Sequence, residues 1–438
     1  MSKPVVAIVG RPNVGKSTLF NRLAGIRISI VEDTPGVTRD RIYAESDWLD
    51  KKFTVIDTGG LDASSEEFIP AQIREQAQIA IDSADVIVFV TDVKTGVTES
   101  DKEIAELLRR SKKPVVVAVN KVDVLAKDSA AYEFYELGLT PVVAISSGQA
   151  LGLGDLLDEV CALFPKDNQN DNDNDAIKVA VIGKPNVGKS SLINKILGES
   201  RVIVSPVPGT TRDAIDSPFE KDGQKFIFID TAGMRRKSKV KENIEKYSVI
   251  RAVTAVERSD VSIIIINAEE GITDQDAKIA GIAHESGKAA IIAVNKWDAI
   301  EKDGKTMKKF DKDIEQNLKY MSYAPKIYIS ALTGQRVSNI FNTVISVNEN
   351  SARRIQTGLL NDVLTDALAS YPPPAEKGRQ LKIFYMTQVS VKPPTFVIFV
   401  NDEELLHFSY LRYLENKIRE AFGFVGTPLR FMTRGRKD

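Results

Sequence analysis

The sequence predicts an α/β protein that contains two copies of one domain, followed by a smaller α+β domain. Short runs of Val, Ile and Phe recur in the same order in both copies, and GRPNVGKS at Gly10 returns as GKPNVGKS at Gly183. Between the copies, residues 166–175 read KDNQNDNDND, an acidic segment without an apolar side chain. We expect this segment to be a flexible linker.

The apolar runs predict the type of sheet in each copy. They read VVAIVG, FTVID, DVIVFV, PVVVAVN and TPVVAIS in the first copy, and KVAVIG, KFIFID, VSIIIIN, AAIIAVN and KIYIS in the second. These runs are continuous rather than alternating, which is typical of parallel strands that helices cover on both faces. Each copy is therefore predicted to form a mostly parallel sheet.

The repeat keeps its register over most of its length. Gly10 and Gly183 are 173 positions apart, and the offset grows to 184 at Ser146 and Ser330. The second copy therefore carries an insertion around EKDGKTMKKFDKD, which we expect to be a surface loop. The predicted domain boundaries are 1–165 and 176–350 for the copies, 166–175 for the linker and 351–438 for the last domain.

The last domain is predicted to have the element order α-β-β-α-β. A helical pattern in SARRIQTGLLNDVLTDALASY precedes two strand-like runs, LKIFYMTQVS and PTFVIFVN. PLRFM is the last predicted strand. The second helix, HFSYLRYLENKIREAF, carries an apolar face. That predicted face consists of Phe408, Leu411, Leu414, Ile418 and Phe422.

Composition limits the class of protein. The chain has 438 residues, with 59 Lys and Arg against 60 Asp and Glu, so any basic surface must be local. The single cysteine, Cys161, lies in the apolar run LLDEVCALF and reads as a small buried side chain. One cysteine excludes a disulfide within the chain. No run is long enough to span a bilayer, so we expect a soluble, cytoplasmic protein without membrane contact. We also expect it to be a monomer.

Both repeated glycine-rich segments match G-x-x-x-x-G-K-[ST] between a strand and a helix, which is the context of a P-loop. The backbone N–H groups of such a loop surround phosphate oxygens at a helix N-terminus. Lys16 and Lys189 are predicted to reach the β- and γ-phosphates, and Ser17 and Ser190 to bind Mg²⁺. The predicted phosphate-binding residues are Gly10, Arg11, Pro12, Asn13, Val14, Gly15, Lys16, Ser17 and Thr18, and Gly183, Lys184, Pro185, Asn186, Val187, Gly188, Lys189, Ser190 and Ser191.

NKVD and NKWD, which follow apolar strands, predict guanine as the base. The carboxylate of Asp123 or Asp298 can accept hydrogen bonds from the ring N–H and the exocyclic amine of guanine, whereas adenine offers no such pair. The asparagine of each motif is expected to position the loop, and AISS and YISA to complete the base pocket. The predicted base-binding residues are Asn120, Lys121, Val122, Asp123, Ser146 and Ser147, and Asn295, Lys296, Trp297, Asp298, Ser330 and Ala331.

DTGG and DTAG also end apolar strands and predict a second part of each site. Their aspartates are expected to hold Mg²⁺ through water, and Gly60 and Gly233 to donate an N–H to the γ-phosphate. Alignment of DTPGVTRD with PVPGTTRD leaves Thr38 and Thr211 as the switch threonines for Mg²⁺. The residues predicted at these motifs are Asp57, Thr58, Gly59, Gly60 and Leu61, and Asp230, Thr231, Ala232, Gly233 and Met234. The predicted catalytic set is Lys16, Thr38, Gly60, Lys189, Thr211 and Gly233.

These motifs and their tandem order resemble the Der family of bacterial ribosome-assembly GTPases, also called EngA, over essentially the whole chain. The resemblance implies two Ras-like P-loop GTPase domains, a C-terminal KH-like domain, and maturation of the large ribosomal subunit as the process served. It also implies guanine nucleotides, the large subunit and its ribosomal RNA as partners. Two alternatives are a non-catalytic scaffold that uses GTP only to lock a shape, and a GTPase of tRNA modification, for which the chain lacks a spare catalytic domain.

Hydrolysis needs a group that replaces the usual glutamine after D-x-x-G, because Leu61 and Met234 cannot hydrogen-bond a water. Asn13 and Asn186 resemble the asparagine that helps to bind potassium in related GTPases. We therefore hypothesise potassium-stimulated hydrolysis at both sites. The alternative is that these asparagines only shape the loop. Arg39 and Arg212 follow the switch threonines and read as solvated side chains rather than arginine fingers.

Two regions are candidates for contact with RNA. MRRKSKVKENIEK follows the second D-x-x-G and is strongly basic, although a solvated loop is the alternative. Residues 371–438 contain eleven Lys and Arg against seven Asp and Glu, a net charge of +4. GFVG at 423–426 matches the G-x-x-G of KH domains, but it follows a helix and precedes a strand, so it reads as a helix stop and turn. His284 and His407 receive no catalytic role.

Overall fold

In the described part of the computed structural model, the chain forms two six-stranded, mostly parallel sheets, one three-stranded sheet and one short strand pair. The second six-stranded sheet and the three-stranded sheet lie in one compact unit, and the first six-stranded sheet lies in another. This architecture confirms the predicted α/β fold class. The structure describes residues 3–25, 43–58, 70–123, 131–165, 176–198, 216–231, 244–373, 375–376 and 379–435.

The first domain has a central sheet with helices on both faces. Its elements are β1 (Val5–Val9), α1 (Lys16–Ala24), β2 (Tyr43–Trp48), β3 (Lys51–Asp57), α2 (Pro70–Ser83), β4 (Val86–Asp92), α3 (Glu99–Ser111), β5 (Val115–Asn120), a 3₁₀ turn (Tyr132–Leu137), β6 (Val142–Ala144) and α4 (Leu153–Ala162). The strand order is β2-β3-β1-β4-β5-β6, with β2 antiparallel to β3. Strands β1, β4 and β5 are buried along their whole length, as their continuous apolar sequences predict.

The second domain repeats this topology. Its elements are β7 (Ile177–Ile182), α5 (Lys189–Gly198), β8 (Ser217–Lys221), β9 (Gln224–Phe228), α6 (Ile244–Arg258), β10 (Val261–Asn267), α7 (Asp274–Glu285), β11 (Ala289–Asn295), α8 (Thr306–Asn317), a 3₁₀ turn (Lys319–Met321), β12 (Lys326–Tyr328) and α9 (Asn339–Ala352). The strand order β8-β9-β7-β10-β11-β12 matches that of the first sheet. Five parallel strands therefore present their carboxyl ends in the same order in both copies.

Three local expectations for the copies need comment. The edge strands β2 and β8 are missing from the prediction, because YAESDW and SPFEK lack a continuous apolar run. The prediction that the insertion forms a surface loop is wrong, because much of that segment forms α8, in which Ile314 is buried. Cys161 is buried and free, as predicted, and burial raises the pKa of its thiol.

The third domain has the predicted α-β-β-α-β order. Its elements are α10 (Thr357–Ser370), β13 (Ala375–Glu376), β14 (Arg379–Gln380), β15 (Ile383–Ser390), β16 (Thr395–Val400), a 3₁₀ turn (Glu403–Leu405), α11 (Phe408–Phe422) and β17 (Arg430–Gly435). Strand β16 pairs antiparallel with β15 and parallel with β17. Leu414 and Ile418 of α11 enter the core, but Phe408 is 46% exposed, so its place on the buried face was predicted wrongly. It is the first residue of the helix and lies beside Arg412.

The GFVG segment connects the third domain to the second. Gly423 ends α11 with φ 86°, which confirms the predicted helix stop. The Ala290 N–H donates to the Gly426 carbonyl at 2.7 Å, and the Gly426 N–H donates to the Tyr323 carbonyl at 2.8 Å. Backbone hydrogen bonds therefore fix this turn on the second domain, a role that the sequence did not suggest.

His284 lies next to this contact. Its Nδ1 is 3.0 Å from the Tyr323 hydroxyl, and its ring packs against Tyr320 and Tyr323. Burial, followed by the charges of Arg430 and Arg419, lowers the pKa of His284 to about 4. The imidazole is therefore neutral near pH 7 and packs between the two tyrosines.

Candidate functional site

Both P-loops leave the end of a buried strand and enter a helix. Gly15 has φ 97° and Gly188 has φ 100°, conformations that favour glycine. A Cβ at either glycine would lie 2.2–2.3 Å from the side-chain nitrogen of the asparagine at the end of β5 or β11. Both positions thus require glycine for conformation and for space. Asn13 and Asn186 have φ 60° and 63°, so each also shapes its loop.

The P-loop lysines point back into their own loops. The Lys16 ammonium donates to the carbonyls of Gly10 at 2.7 Å and Arg11 at 2.9 Å. Lys189 makes the same bonds to Gly183 at 2.7 Å and Lys184 at 2.6 Å. Burial lowers the pKa of Lys189 to about 8, and the charge of Asp276 opposes that shift. The loop carbonyls therefore fix the ammonium group where the motif expects a phosphate contact.

A buried asparagine ties the P-loop to the base loop in each copy. Asn120 donates to the Val14 carbonyl at 2.7 Å and accepts from the Ser147 N–H at 2.9 Å. Asn295 donates to the Val187 carbonyl at 2.8 Å and accepts from the Ala331 N–H at 2.9 Å. The structure thus brings three sequence-distant motifs together. It also confirms that the asparagine of N-K-x-D positions the loop.

The rims of the two base pockets carry different charges. Asp123 accepts from Ser146 at 3.2 Å and pairs with Lys94 at 3.0 Å, and the hydrogen bond from Lys94 lowers the pKa of Asp123. In the second copy Glu269 occupies the position of Lys94, 175 residues later, and pairs with Lys296 at 2.9 Å. The cation beside the carboxylate that is predicted to bind guanine is therefore a feature of the first copy.

The remaining motif residues lie at the ends of β3 and β9. Asp57 lies opposite Ile8 in the parallel pair of β3 with β1, and the Thr58 hydroxyl donates to the Ile8 carbonyl at 2.6 Å. The Asp230 N–H donates to Asp216 at 3.0 Å. The predicted Mg²⁺ donors on described residues are serine hydroxyls and aspartate carboxylates, the hard oxygen ligands that Mg²⁺ accepts while it keeps several waters. Among the described residues, no cluster of three or more His, Cys, Asp or Glu forms a metal cage.

Several predicted site residues lie outside the described residues. They are Thr38, Gly59, Gly60 and Leu61, and Thr211, Ala232, Gly233 and Met234. The arginines Arg39 and Arg212 and most of the basic segment after the second D-x-x-G also lie there. The predictions for these residues remain predictions.

The sequence did not reveal the side-chain partners of Arg11 and Lys184, the second residue of each P-loop. Arg11 pairs with Asp101 at 3.5 Å, and Lys184 pairs with Asp276 at 3.3 Å. Both aspartates belong to T-x-x-D segments, TESD and TDQD, that recur with an offset of 175. A repeated capping-box pattern ahead of a helix was the signal that could have identified them.

Comparison with known proteins agrees with this geometry. The family model for 50S ribosome-binding GTPases matches residues 5–121 and 178–296, and the model for the KH-like C-terminal domain of EngA bacterial GTPase enzymes matches residues 354–434. The fold and sites define a P-loop GTPase with two GTPase domains in tandem. Among the described residues, no helix has the length and apolar character of a membrane span.

Full-length relatives then specify the family. GTPase Der of Alkaliphilus metalliredigens is 62% identical over 99% of both chains, and GTPase Der of Agathobacter rectalis is 62% identical over 100% of both. GTPase Der of Acetivibrio thermocellus is 62% identical over 99% of both. The chain belongs to the GTPase Der family.

Proposed function

We propose that this GTPase is a molecular switch in the assembly of the large ribosomal subunit. Its nucleotide state would control the arrangement of its domains and its binding to the subunit and to ribosomal RNA. The ribosomal part of the proposal is supported by the match of residues 5–121 and 178–296 to the family model for 50S ribosome-binding GTPases. The switch is supported by a buried asparagine that joins the phosphate loop to the base loop in both copies. A binding event at the base therefore acts on the same rigid element that surrounds the phosphates.

At each site we assign roles to the chain's own groups. Asp123 and Asp298 select guanine through two accepted hydrogen bonds, and the P-loop N–H groups hold the phosphates. Lys16 and Lys189 place positive charge at the β- and γ-phosphates. Mg²⁺, when bound, neutralises charge on the phosphate oxygens. Its proposed ligands are Ser17, Thr38 and Asp57, and Ser190, Thr211 and Asp230.

We further propose that potassium stimulates hydrolysis at both sites through Asn13 and Asn186. The left-handed conformation of both asparagines gives them a role in loop shape that does not depend on an ion. The two roles separate in one measurement, the GTP turnover rate with sodium in place of potassium. An unchanged rate would leave only the role in loop shape.

The experiment that tests the ribosomal function is sedimentation with large ribosomal subunits in GDP or in a non-hydrolysable GTP analogue, across a salt series. We expect more protein in the subunit fraction with the analogue, and less as salt rises, because contacts to RNA phosphates release counterions. Equal, salt-insensitive sedimentation in both nucleotides would contradict the switch. Multiple-turnover phosphate release distinguishes the switch from a scaffold that binds GTP without hydrolysing it.

A further inference from the structure

The second residue of each P-loop, Arg11 or Lys184, forms an ion pair with an aspartate outside the loop. In the second domain this residue is Lys184, whose side chain is 7% exposed. Its ammonium lies 2.6 Å from Glu270, 3.3 Å from Asp276 and 3.4 Å from the Thr273 hydroxyl. Burial opposes the charge, but Glu270 and Asp276 together raise the pKa of Lys184. The side chain is therefore a buried cation that its acidic partners hold in place.

Asp276 needs such a cation. Its side chain is fully buried at the third position of α7, where one carboxylate oxygen accepts from the Thr273 N–H at 3.0 Å and from the Thr273 hydroxyl at 2.7 Å. The other carboxylate oxygen accepts no hydrogen bond among the described residues. A buried carboxylate with an oxygen in this state is costly unless a positive charge lies beside it.

The first domain repeats the arrangement with a different cation. Arg11 takes the place of Lys184, its guanidinium pairs with Asp101 at 3.5 Å, and it also hydrogen-bonds Thr95. Asp101 is fully buried in the capping box of Thr98, and one of its oxygens is likewise without a hydrogen bond among the described residues. Because Arg and Lys differ in shape and share only their charge, a positive charge is the property that both copies retain.

The same residue also contacts the P-loop lysine through its backbone. The carbonyl of Lys184 accepts from the Lys189 ammonium at 2.6 Å, and the carbonyl of Arg11 accepts from the Lys16 ammonium at 2.9 Å. One residue thus connects a buried carboxylate on α7 or α3 to the ammonium group of the P-loop lysine.

We propose that Arg11 and Lys184 are positioning residues for GTP hydrolysis, which act by anchoring the P-loop so that their carbonyls hold Lys16 and Lys189 in place. The buried aspartate fixes the side chain, and the fixed backbone fixes the catalytic ammonium. This inference rests on the proposed role of the P-loop lysines. The P-loop amides and the base pocket bind nucleotide without this anchor, so its loss lowers turnover more than affinity.

The test uses the full chain with its first site silenced by Lys16→Ala, so that only the second site turns over. Lys184→Met removes the charge, Lys184→Arg substitutes the cation of the first copy, and Lys417→Met is a matched control that makes the same change in an exposed ion pair of the third domain. In Lys184→Met we expect kcat to fall about 10-fold or more with a change in KM below about 3-fold, as for loss of a group that acts in the transition state. Lys184→Arg should retain most of the rate, and Lys417→Met should change it less than about 2-fold, because its exposed ion pair with Glu420 contributes little.

Lys184→Met leaves Asp276 buried without its cation and could unfold the domain. The double variant Lys184→Met/Asp276→Asn removes both charges and keeps an acceptor for Thr273. We expect it to recover the melting temperature and not the turnover rate. A double variant with native stability and native kcat would overturn the proposal, and so would a Lys184→Arg variant as slow as Lys184→Met. If Lys189→Ala in the same background hydrolysed GTP normally, the assigned role of the P-loop lysine would fail as well, which separates the two conclusions.

Discussion

Replacement of Asn295 by alanine should uncouple the second phosphate loop from its base loop. The side chain is 2% exposed and makes two hydrogen bonds, one to each loop. Its removal leaves the Val187 carbonyl and the Ala331 N–H without these partners, and each unsatisfied buried group costs about 1–3 kcal/mol. Because the two loops can relax in the absence of nucleotide, we expect about 2–3 kcal/mol of the total to appear in binding. That energy corresponds to a loss of about 30- to 150-fold in nucleotide affinity.

Calorimetry of the intact chain with GDP measures this effect directly, because each copy supplies one site. Wild type should bind two equivalents, and Asn295→Ala should retain one tight site and one weakened site. Asn120→Ala is the matched variant of the first copy and should weaken the other site. Asn295→Asp keeps the acceptor for Ala331 but loses the donor to Val187. Its loss of nucleotide affinity should lie between zero and that of Asn295→Ala, or exceed that of Asn295→Ala if the new carboxylate is buried as a charge. Two sites with affinities within about 3-fold of wild type in Asn295→Ala would refute the coupling, because that change is below 1 kcal/mol.

Three further predictions concern the charged rim and the contact with the third domain. Lys94→Gln frees the Asp123 carboxylate for guanine. Titration with fluorescent GDP should show about 3-fold tighter binding at the first site at low salt, and this gain should shrink as salt is added. Unchanged or weaker binding at the first site would count against competition by Lys94. Gly426 has φ 80°, and a Cβ there would clash with Val347. Gly426→Val should therefore lower the free energy of unfolding of the second unit by about 3 kcal/mol, measured by denaturant unfolding. Val425→Ala, at the exposed neighbouring residue, should have little effect. The pKa of His284 is about 4 in the folded chain, below its ordinary value, so unfolding takes up a proton between pH 6.5 and 4. As the pH falls through that range, the free energy of unfolding of wild type should decrease by about 3 kcal/mol relative to that of His284→Gln. Parallel curves of stability against pH for the two proteins would contradict the shift.

The parts of the fold that the sequence predicts are those that burial dictates. A strand such as Val261–Asn267 is covered on both faces, so its positions are apolar or small up to the terminal asparagine, and the run is easy to recognise. An edge strand such as β2 is half solvated and polar, and its register depends on the neighbouring strand rather than on its own composition. The insertion forms α8 because a few contacts place an otherwise exposed helix: Ile314 is buried, and Phe310 packs against Trp297.

The predictable parts of the site are those in which the backbone does the binding. Gly15 and Gly188 are dictated by conformation and by the nearby asparagines, so motif spacing alone identifies them. The anchor between Lys184 and Asp276 joins residues far apart in the chain through one ion pair, and such a pair leaves no local periodicity. The contact of GFVG with the second domain could not be predicted from the sequence either, because it depends on the surface that the second domain presents.

The comparison of the two copies separates what the sites share from what distinguishes them. Both copies keep a buried asparagine between the loops, and a cation paired with a fully buried aspartate behind the phosphate loop. They differ at the exposed rim of the base pocket, where Lys94 pairs with Asp123 in one copy and Glu269 pairs with Lys296 in the other. With the proposed site roles, buried contacts to the P-loop would act on the phosphates, whereas rim charges would act on the base and would be screened by salt. We therefore expect the two sites to differ in nucleotide occupancy more than in the rate of the chemical step.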